Sequence, residues 1–127
     1  MSLAGKKVVV VVEDEPDAAE MFAEMMRVNG FQVLKSESSR AAMPLIASEL
    51  PNVVILDVMM PDVSGLEVLK FMRSNPQLAA IPVIVVSAKS LPSDIQTGMK
   101  AGASIYITKP VGFLDLKQAV ERVTQSA

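Results

Sequence analysis

The sequence predicts a doubly wound α/β domain, with a five-stranded parallel sheet covered by helices on both faces. Three observations support that expectation. Short β-branched runs alternate strictly with stretches of helical apolar spacing. The runs are continuously apolar, as strands buried on both faces are. Gly, Pro, Asn or Ser punctuates most junctions.

Lys7–Val12 is too short and too β-branched for a helix, so it reads as the first strand, and it stops at Glu13-Asp14-Glu15. Pro16 suits a first helical position, Ala18, Met21, Phe22, Met25 and Val28 mark an apolar stripe, and Asn29-Gly30 supplies the stop. Phe31–Lys35 reads as the second strand. Ser38 or Ser39 caps a helix running to about Leu50, in which Pro44 predicts a kink or an early first turn. Asn52–Asp57 is the third strand. Ser64-Gly65-Leu66-Glu67 has the form of a capping box and opens a helix to about Ser74. Pro82–Ser87 is the fourth strand, Ser93 to about Ala101 the fourth helix, closed by Gly102, and Ser104–Thr108 the fifth strand. The last helix begins near Gly112, with Phe113, Leu116, Val120 and Val123 expected to face inward. One domain is expected over residues 1–127, folded from about 6 to 125, with no effector domain.

Composition narrows the chemistry. Among 127 residues there is no Cys and no His, which removes disulfides, thiolate nucleophiles, His-based triads and imidazole metal ligands. Twelve basic and 14 acidic residues leave a net charge of −2, and aromatic residues make up only 4%, so neither an electrostatic footprint nor a stacking platform for nucleic acid is present. The longest apolar stretches, Val8–Val12 and Ala79–Val86, fall short of the roughly 18 residues a spanning helix needs. Lys6-Lys7 precede an apolar run that ends in acids and not in a small-residue cleavage site. A cytoplasmic protein without direct nucleic-acid or membrane contact is expected. The nine Met residues are read as flexible core filler.

In a doubly wound sheet, ligands bind beyond the carboxyl ends of the strands, where the strand order reverses. Glu13-Asp14, Asp57, Ser87 and Lys109 all follow strand ends and share that edge. If the first and third strands are neighbours, Asp14 and Asp57 meet at the switch point with Glu13 beside them; the alternation alone leaves that order open. Converging carboxylates without His or Cys repel one another, and relief comes from protonation or from a hard cation such as Mg²⁺. With Mg²⁺ in place, Asp57 keeps an oxygen free to act as a nucleophile, and Lys109 and Ser87 are placed to donate to phosphoryl oxygens, a constellation suited to phosphoryl transfer.

Val12-Glu13-Asp14-Glu15, Ile55-Leu56-Asp57-Val58-Met59-Met60-Pro61-Asp62 with Gly65, Val86-Ser87-Ala88 and Lys109-Pro110, in this order and spacing, make the chain resemble a receiver domain of the two-component response regulators over essentially its whole length. The resemblance implies the flavodoxin-like strand order 2-1-3-4-5. It implies that Asp57 accepts a phosphoryl group from a sensor histidine kinase or phosphotransfer protein. Asp14, Asp57 and the Met59 carbonyl would bind Mg²⁺, with Glu13 acting through water. Lys109 would pair with the phosphoryl group, Ser87 would be the switch hydroxyl and Tyr106 the switch aromatic. Output would pass to a downstream protein target or a fused output domain. Three departures stand out: Glu13 where Asp is more frequent, Val111 where Phe is frequent after Lys-Pro, and a fourth helix without the acid–base pattern some DNA-binding members use to dimerise.

Each residue also has a plainer reading. Asp57 would be a surface loop acid, Glu13 a solvated turn acid, Lys109 an ordinary surface lysine, Ser87 a turn former and Tyr106 simple packing. Asp57, however, directly follows the buried-looking run Val53–Leu56, and Pro110 and the end of a strand flank Lys109. Three rival functions are weaker. A phosphorylation-independent binding module would be expected to have a damaged site. A metal-dependent phosphatase commonly carries a second acid where Met59 stands, and a flavin carrier needs a phosphate-binding loop where Glu13-Asp14-Glu15 would repel it. A phosphoacceptor switch, and not a turnover enzyme, is the expectation.

Overall fold

The computed structural model describes residues 7–124. The expected folded limits near 6 and 125, and the start Met1-Ser2-Leu3, lie outside them. The elements alternate as β1 (Lys7–Val12), α1 (Pro16–Val28), β2 (Phe31–Ser36), α2 (Ser39–Glu49), β3 (Val53–Leu56), α3 (Gly65–Ser74), β4 (Val83–Ser87), α4 (Pro92–Ala101), β5 (Ile105–Thr108) and α5 (Phe113–Thr124). All pairings are parallel, in the order β2-β1-β3-β4-β5.

Period-two alternation within the apolar strands builds two cores. Val9, Val11, Val53, Ile55, Ile84 and Val86 face α1 and α5, where Phe22, Met26, Leu116 and Val120 complete one layer. Val10, Val12, Val54, Leu56, Val83 and Val85 face α2 and α3, where Ile46, Leu69 and Met72 complete the other. Neither face of the central strands meets water, which is why these runs lack polar alternation.

Local signals set the helix ends. The Glu15 carboxylate accepts from the Ala18 amide at 2.7 Å ahead of Pro16, and the Ser38 hydroxyl accepts from the Ala41 amide at 3.2 Å. Gly30 and Gly102 take the positive φ that the turns after α1 and α4 require.

Several details differ from the sequence reading. The face α1 buries is Ala19, Phe22, Ala23 and Met26, whereas Met21 and Val28 are exposed, so the buried stripe lies a fraction of a turn from the one the apolar spacing predicts. In α5, Leu116, Ala119 and Val120 are buried, but Phe113 sits on the exposed rim of the first turn. Pro44 lies inside α2 without ending it, on the exposed side. The capping box of α3 is half formed. Ser64 Oγ accepts from the Leu66 amide at 3.2 Å, but the Glu67 carboxylate pairs with Lys70.

Leu50, which closes α2, is the one non-glycine residue at positive φ among those described (φ 47°), and it precedes a proline. An L-residue there costs roughly 1–2 kcal/mol, and glycine gives back about 0.5–1 kcal/mol of that in backbone entropy. Leu50 is 53% exposed, so little apolar burial is at stake. Leu50→Gly is therefore expected to raise the thermal midpoint by about 2–4 °C, read by circular dichroism. A fall in the midpoint would show that the Leu50 side chain contributes more by packing than the backbone loses by strain.

Candidate functional site: an acidic cleft at the strand-order reversal

Because β1 lies between β2 and β3, the chain leaves the sheet on opposite sides after β1 and β3, and the acids that end these strands converge there. The main chain fixes their positions. The Asp57 amide donates to the Val12 carbonyl at 3.0 Å and the Glu13 amide donates to the Ser36 carbonyl at 3.0 Å. Carboxylate oxygens of Glu13, Asp14 and Asp57 lie within 4.8 Å of one another. Glu13 and Asp57 are buried, at 1% and 4% exposure, and Asp14 is more open.

Lys109 enters this cluster from the end of β5. Its ammonium donates to Glu13 Oε1 and to Asp57 Oδ2, each at 2.9 Å. The Lys109 amide donates to the Ser87 carbonyl at 2.8 Å, so the edge of β4 sets where the lysine starts. The second oxygen of each buried acid also has a donor. Glu13 Oε2 accepts from the Glu15 amide at 3.2 Å and Asp57 Oδ1 from the Met59 amide at 2.9 Å.

Burial pushes the Glu13 carboxyl above its ordinary value, and the Asp57 charge adds to that push. The Lys109 hydrogen bond and the Glu15 amide offset part of it. For Lys109, burial works against the charged form, but the hydrogen bonds and charges of Glu13 and Asp57 prevail and raise it. An all-oxygen donor set of three carboxylates, without nitrogen or sulfur, suits a hard divalent cation.

Ser87 is fully buried at the end of β4, and its Oγ accepts from the Lys89 amide at 3.1 Å. The Lys89 carbonyl in turn accepts from the Tyr106 hydroxyl at 2.8 Å. A cleft of about 570 Å³ between the β3–α3 loop and α4 runs from Asp14 and Met59 to Lys89, Gly98 and Tyr106.

All seven residues singled out in the sequence thus fall in one connected region. Glu13 and Asp57 are in direct contact with Lys109, Asp14 lies within 4.8 Å of both acids, and Ser87 and Tyr106 join each other through Lys89. Glu13 is a buried partner of Lys109 and not a solvated turn acid. Val111 is buried in the layer that holds α1 and α5.

Two glycines support the site, Gly65 from the sequence motif and Gly98, which the sequence reading does not single out. Gly65 allows the β3–α3 loop to close: a Cβ there would stand 2.4 Å from the Asp57 carbonyl oxygen. Gly98 is the one buried residue of α4, and a Cβ there would meet the Tyr106 ring at 2.8 and 2.9 Å. The available signal was a glycine inside a helical run, where it costs about 1 kcal/mol relative to alanine and calls for a packing reason.

Fold and site together define an α/β domain with a lysine-bridged acidic cleft at the carboxyl edge of its sheet. The sequence profile of the response regulator receiver domain matches residues 9–121, and the chain belongs to that family. It is 42% identical over 103 residues to the "Probable transcriptional regulatory protein TcrX" of Mycobacterium tuberculosis, covering 80% of this chain and 43% of that protein. It is 31% identical over 105 residues to the polar-differentiation response regulator DivK of Brucella ovis, covering 83% of this chain and 85% of DivK. The chain therefore spans less than half the length of TcrX but most of that of DivK. The signal receiver domain of a signal transduction histidine kinase from Syntrophus aciditrophicus superposes with a TM-score of 0.86 at 30% identity, over 93% of this chain and 89% of that one. Receiver domains are signalling switches of two-component systems, typically phosphorylated on aspartate.

Two outcomes follow from this geometry. Lys109→Ala leaves two buried carboxylates facing each other. Breaking such a pair costs about 3–5 kcal/mol when fully buried, and partial exposure of the lysine reduces this to about 2 kcal/mol. Thermal melts in chelator should fall by roughly 6 °C, and added Mg²⁺ should restore more of the midpoint than it adds to the wild type. An unchanged midpoint would mean that the lysine does not balance these acids. Gly98→Ala should displace the ring of Tyr106. This is the sole tyrosine in a chain without tryptophan, so acrylamide quenching of intrinsic emission reads that ring alone. Quenching is expected to increase, and equal quenching would mean the ring does not rest on Gly98.

Proposed function

We propose that this receiver domain takes a phosphoryl group on Asp57 from the phosphohistidine of a sensor kinase or phosphotransfer protein, and that the modification switches a protein-binding face. The observation that carries the reading is the pairing of Asp57, 4% exposed, with the Lys109 ammonium at 2.9 Å inside a three-carboxylate cluster. A structural ion pair does not need two further acids, whose mutual repulsion raises its cost.

The Asp57 carboxylate is the nucleophile. One of its oxygens forms the new P–O bond as the donor's P–N bond breaks, and the bonding pair goes to the imidazole nitrogen, which takes up a proton. The Met59 amide and the Lys109 ammonium hold the two oxygens in place before attack. Lys109 then neutralises charge on the phosphoryl oxygens. Ser87, whose Oγ accepts only from the Lys89 amide, has its hydroxyl proton available for the same oxygens. Asp14, Asp57 and the Met59 carbonyl would hold Mg²⁺, with Glu13 acting through water. When bound, the ion supplies charge neutralisation for the entering phosphoryl group.

The switch follows from the Ser87–Lys89–Tyr106 connection. Movement of Ser87 toward a phosphoryl oxygen releases the Lys89 amide. The Lys89 carbonyl then shifts under the Tyr106 hydroxyl, and α4 and β5 are remodelled. Output by contact with a downstream protein, or with an output domain joined to the receiver, is the corresponding reading, with the protein acting in the cytoplasm.

The test is intact-mass measurement after incubation with a small-molecule phosphodonor. One phosphoryl addition is expected, lost with chelator and lost in Asp57→Asn. Absence of any addition to folded protein with several donors, or addition that persists in Asp57→Asn, would overturn the reading.

A further inference from the structure

The loop that follows Asp57 is anchored at two points. At its base, the Val58 carbonyl accepts from the Gly65 amide at 2.9 Å, from the Met60 amide at 3.2 Å and from Ser64 Oγ at 3.4 Å. At its tip, Asp62 reaches across to another helix. Its Oδ2 accepts from Ser38 Oγ at 2.9 Å and from the Arg40 amide at 3.0 Å, and its Oδ1 lies 3.3 Å from the Ser39 amide. These are the first residues of α2, whose own first turn contains no acid. The carboxylate that a helix start favours is thus supplied from the β3–α3 loop.

The contact continues to the carboxyl end of β1. Ser36 Oγ donates to the Ser38 carbonyl at 2.8 Å, and the Ser36 carbonyl accepts from the Glu13 amide. The loop backbone from Asp57 and Met59 to Asp62, and hydrogen bonds from Asp62 through Ser38 and Ser36 to Glu13, therefore form a continuous girdle. It joins the two loops whose acids must keep a fixed separation.

We propose that Asp62 is a positioning residue for the acidic site: by clamping the β3–α3 loop to the start of α2, it sets the place of Met59 relative to Asp57 and Glu13, and thereby the affinity for a divalent cation and the rate of phosphorylation. Asp62 touches neither cation nor phosphoryl group; it acts through the loop. The Arg40 amide, ahead of the Ser38 hydroxyl and the Val63 and Ser39 amides, holds its carboxyl well below the ordinary value, so the clamp is in its ionised form at neutral pH. The proposal rests on the reading of the cleft as a cation-dependent phosphoacceptor site.

The experiment uses the full chain and three variants: Asp62→Ala, Asp62→Asn, and Asp62→Ala combined with Ala41→Glu. Ala41 is exposed three residues after Ser38, so the glutamate completes a capping box and returns an acid to α2 without touching the β3–α3 loop. Mg²⁺ affinity is measured by calorimetry, phosphorylation rate with a small-molecule donor, and the thermal midpoint by circular dichroism.

Asp62→Ala is expected to weaken Mg²⁺ binding and slow phosphorylation about tenfold, the lower end of what loss of supporting contacts around a metal site costs. Asp62→Asn, which keeps one acceptor oxygen, should recover part of both. Adding Ala41→Glu should restore the midpoint but neither the affinity nor the rate. Recovery of all three by Ala41→Glu would overturn the proposal, because Asp62 would then act only by stabilising α2. Unchanged affinity and rate in Asp62→Ala would also overturn it. If the wild type binds Mg²⁺ but is never phosphorylated, the reading of Asp57 as acceptor fails, while the Mg²⁺ affinities still decide the role of Asp62. No Mg²⁺ binding by the wild type would sink both.

Discussion

Two buried carboxylates and a third more open one lie within 4.8 Å of one another, with a single ammonium among them, and much of the molecule serves to hold that arrangement together. Left alone, such acids separate, protonate or take up a cation. The fold prevents separation by placing each acid directly after a central strand with no freedom to retreat: the Glu13 and Asp57 amides are still part of the sheet's hydrogen-bond ladder. Lys109 balances part of the charge, but one cation cannot balance three acids. The remaining negative charge makes this a cluster that could hold a divalent cation.

The rigid and movable parts of the structure are unequally distributed around this centre. On the acidic side, β1 and β3 are buried on both faces, and the loop after Asp57 is closed by Gly65 at its base and by Asp62 at its tip. On the other side, α4 buries only Gly98 and rests against the ring of Tyr106. A helix with so little apolar burial contributes little to global stability and needs little free energy to shift. The acidic cluster thus sits on the tightly packed half of the cleft, and α4 forms the loosely packed half. Ser87 and Lys89 join the two through consecutive hydrogen bonds from a buried hydroxyl to an aromatic one.

The elements themselves were readable because their determinants are local. The β-branched runs, Pro16 at a helix start, Ser38 as a cap and Gly102 as a stop act within a few residues of where they stand. Helix faces were less legible. Ala18, Met21 and Val28 fit the same period in α1 as the residues that are buried, and only the sheet's position decides which stripe it covers. Phe113, which fits the same period as Leu116 and Val120, stands at the first turn of α5 and is left 38% exposed.

The sequence by itself determined that the strands are parallel, apolar on both faces and five in number, and that acids, a serine and a lysine follow their carboxyl ends; these are consequences of period and punctuation. The tertiary structure decided what those residues touch. That β1 stands between β2 and β3 depends on pairing between segments some 45 residues apart in the chain, as in Val9 with Val53, which no local pattern encodes. Only that order makes Glu13 a buried partner of Lys109 across 96 residues, brings Asp62 to the start of α2 across 22 to 24, and seats Tyr106 on Gly98. Residue type supplied the chemistry available at the edge of the sheet, and long-range packing selected which groups meet.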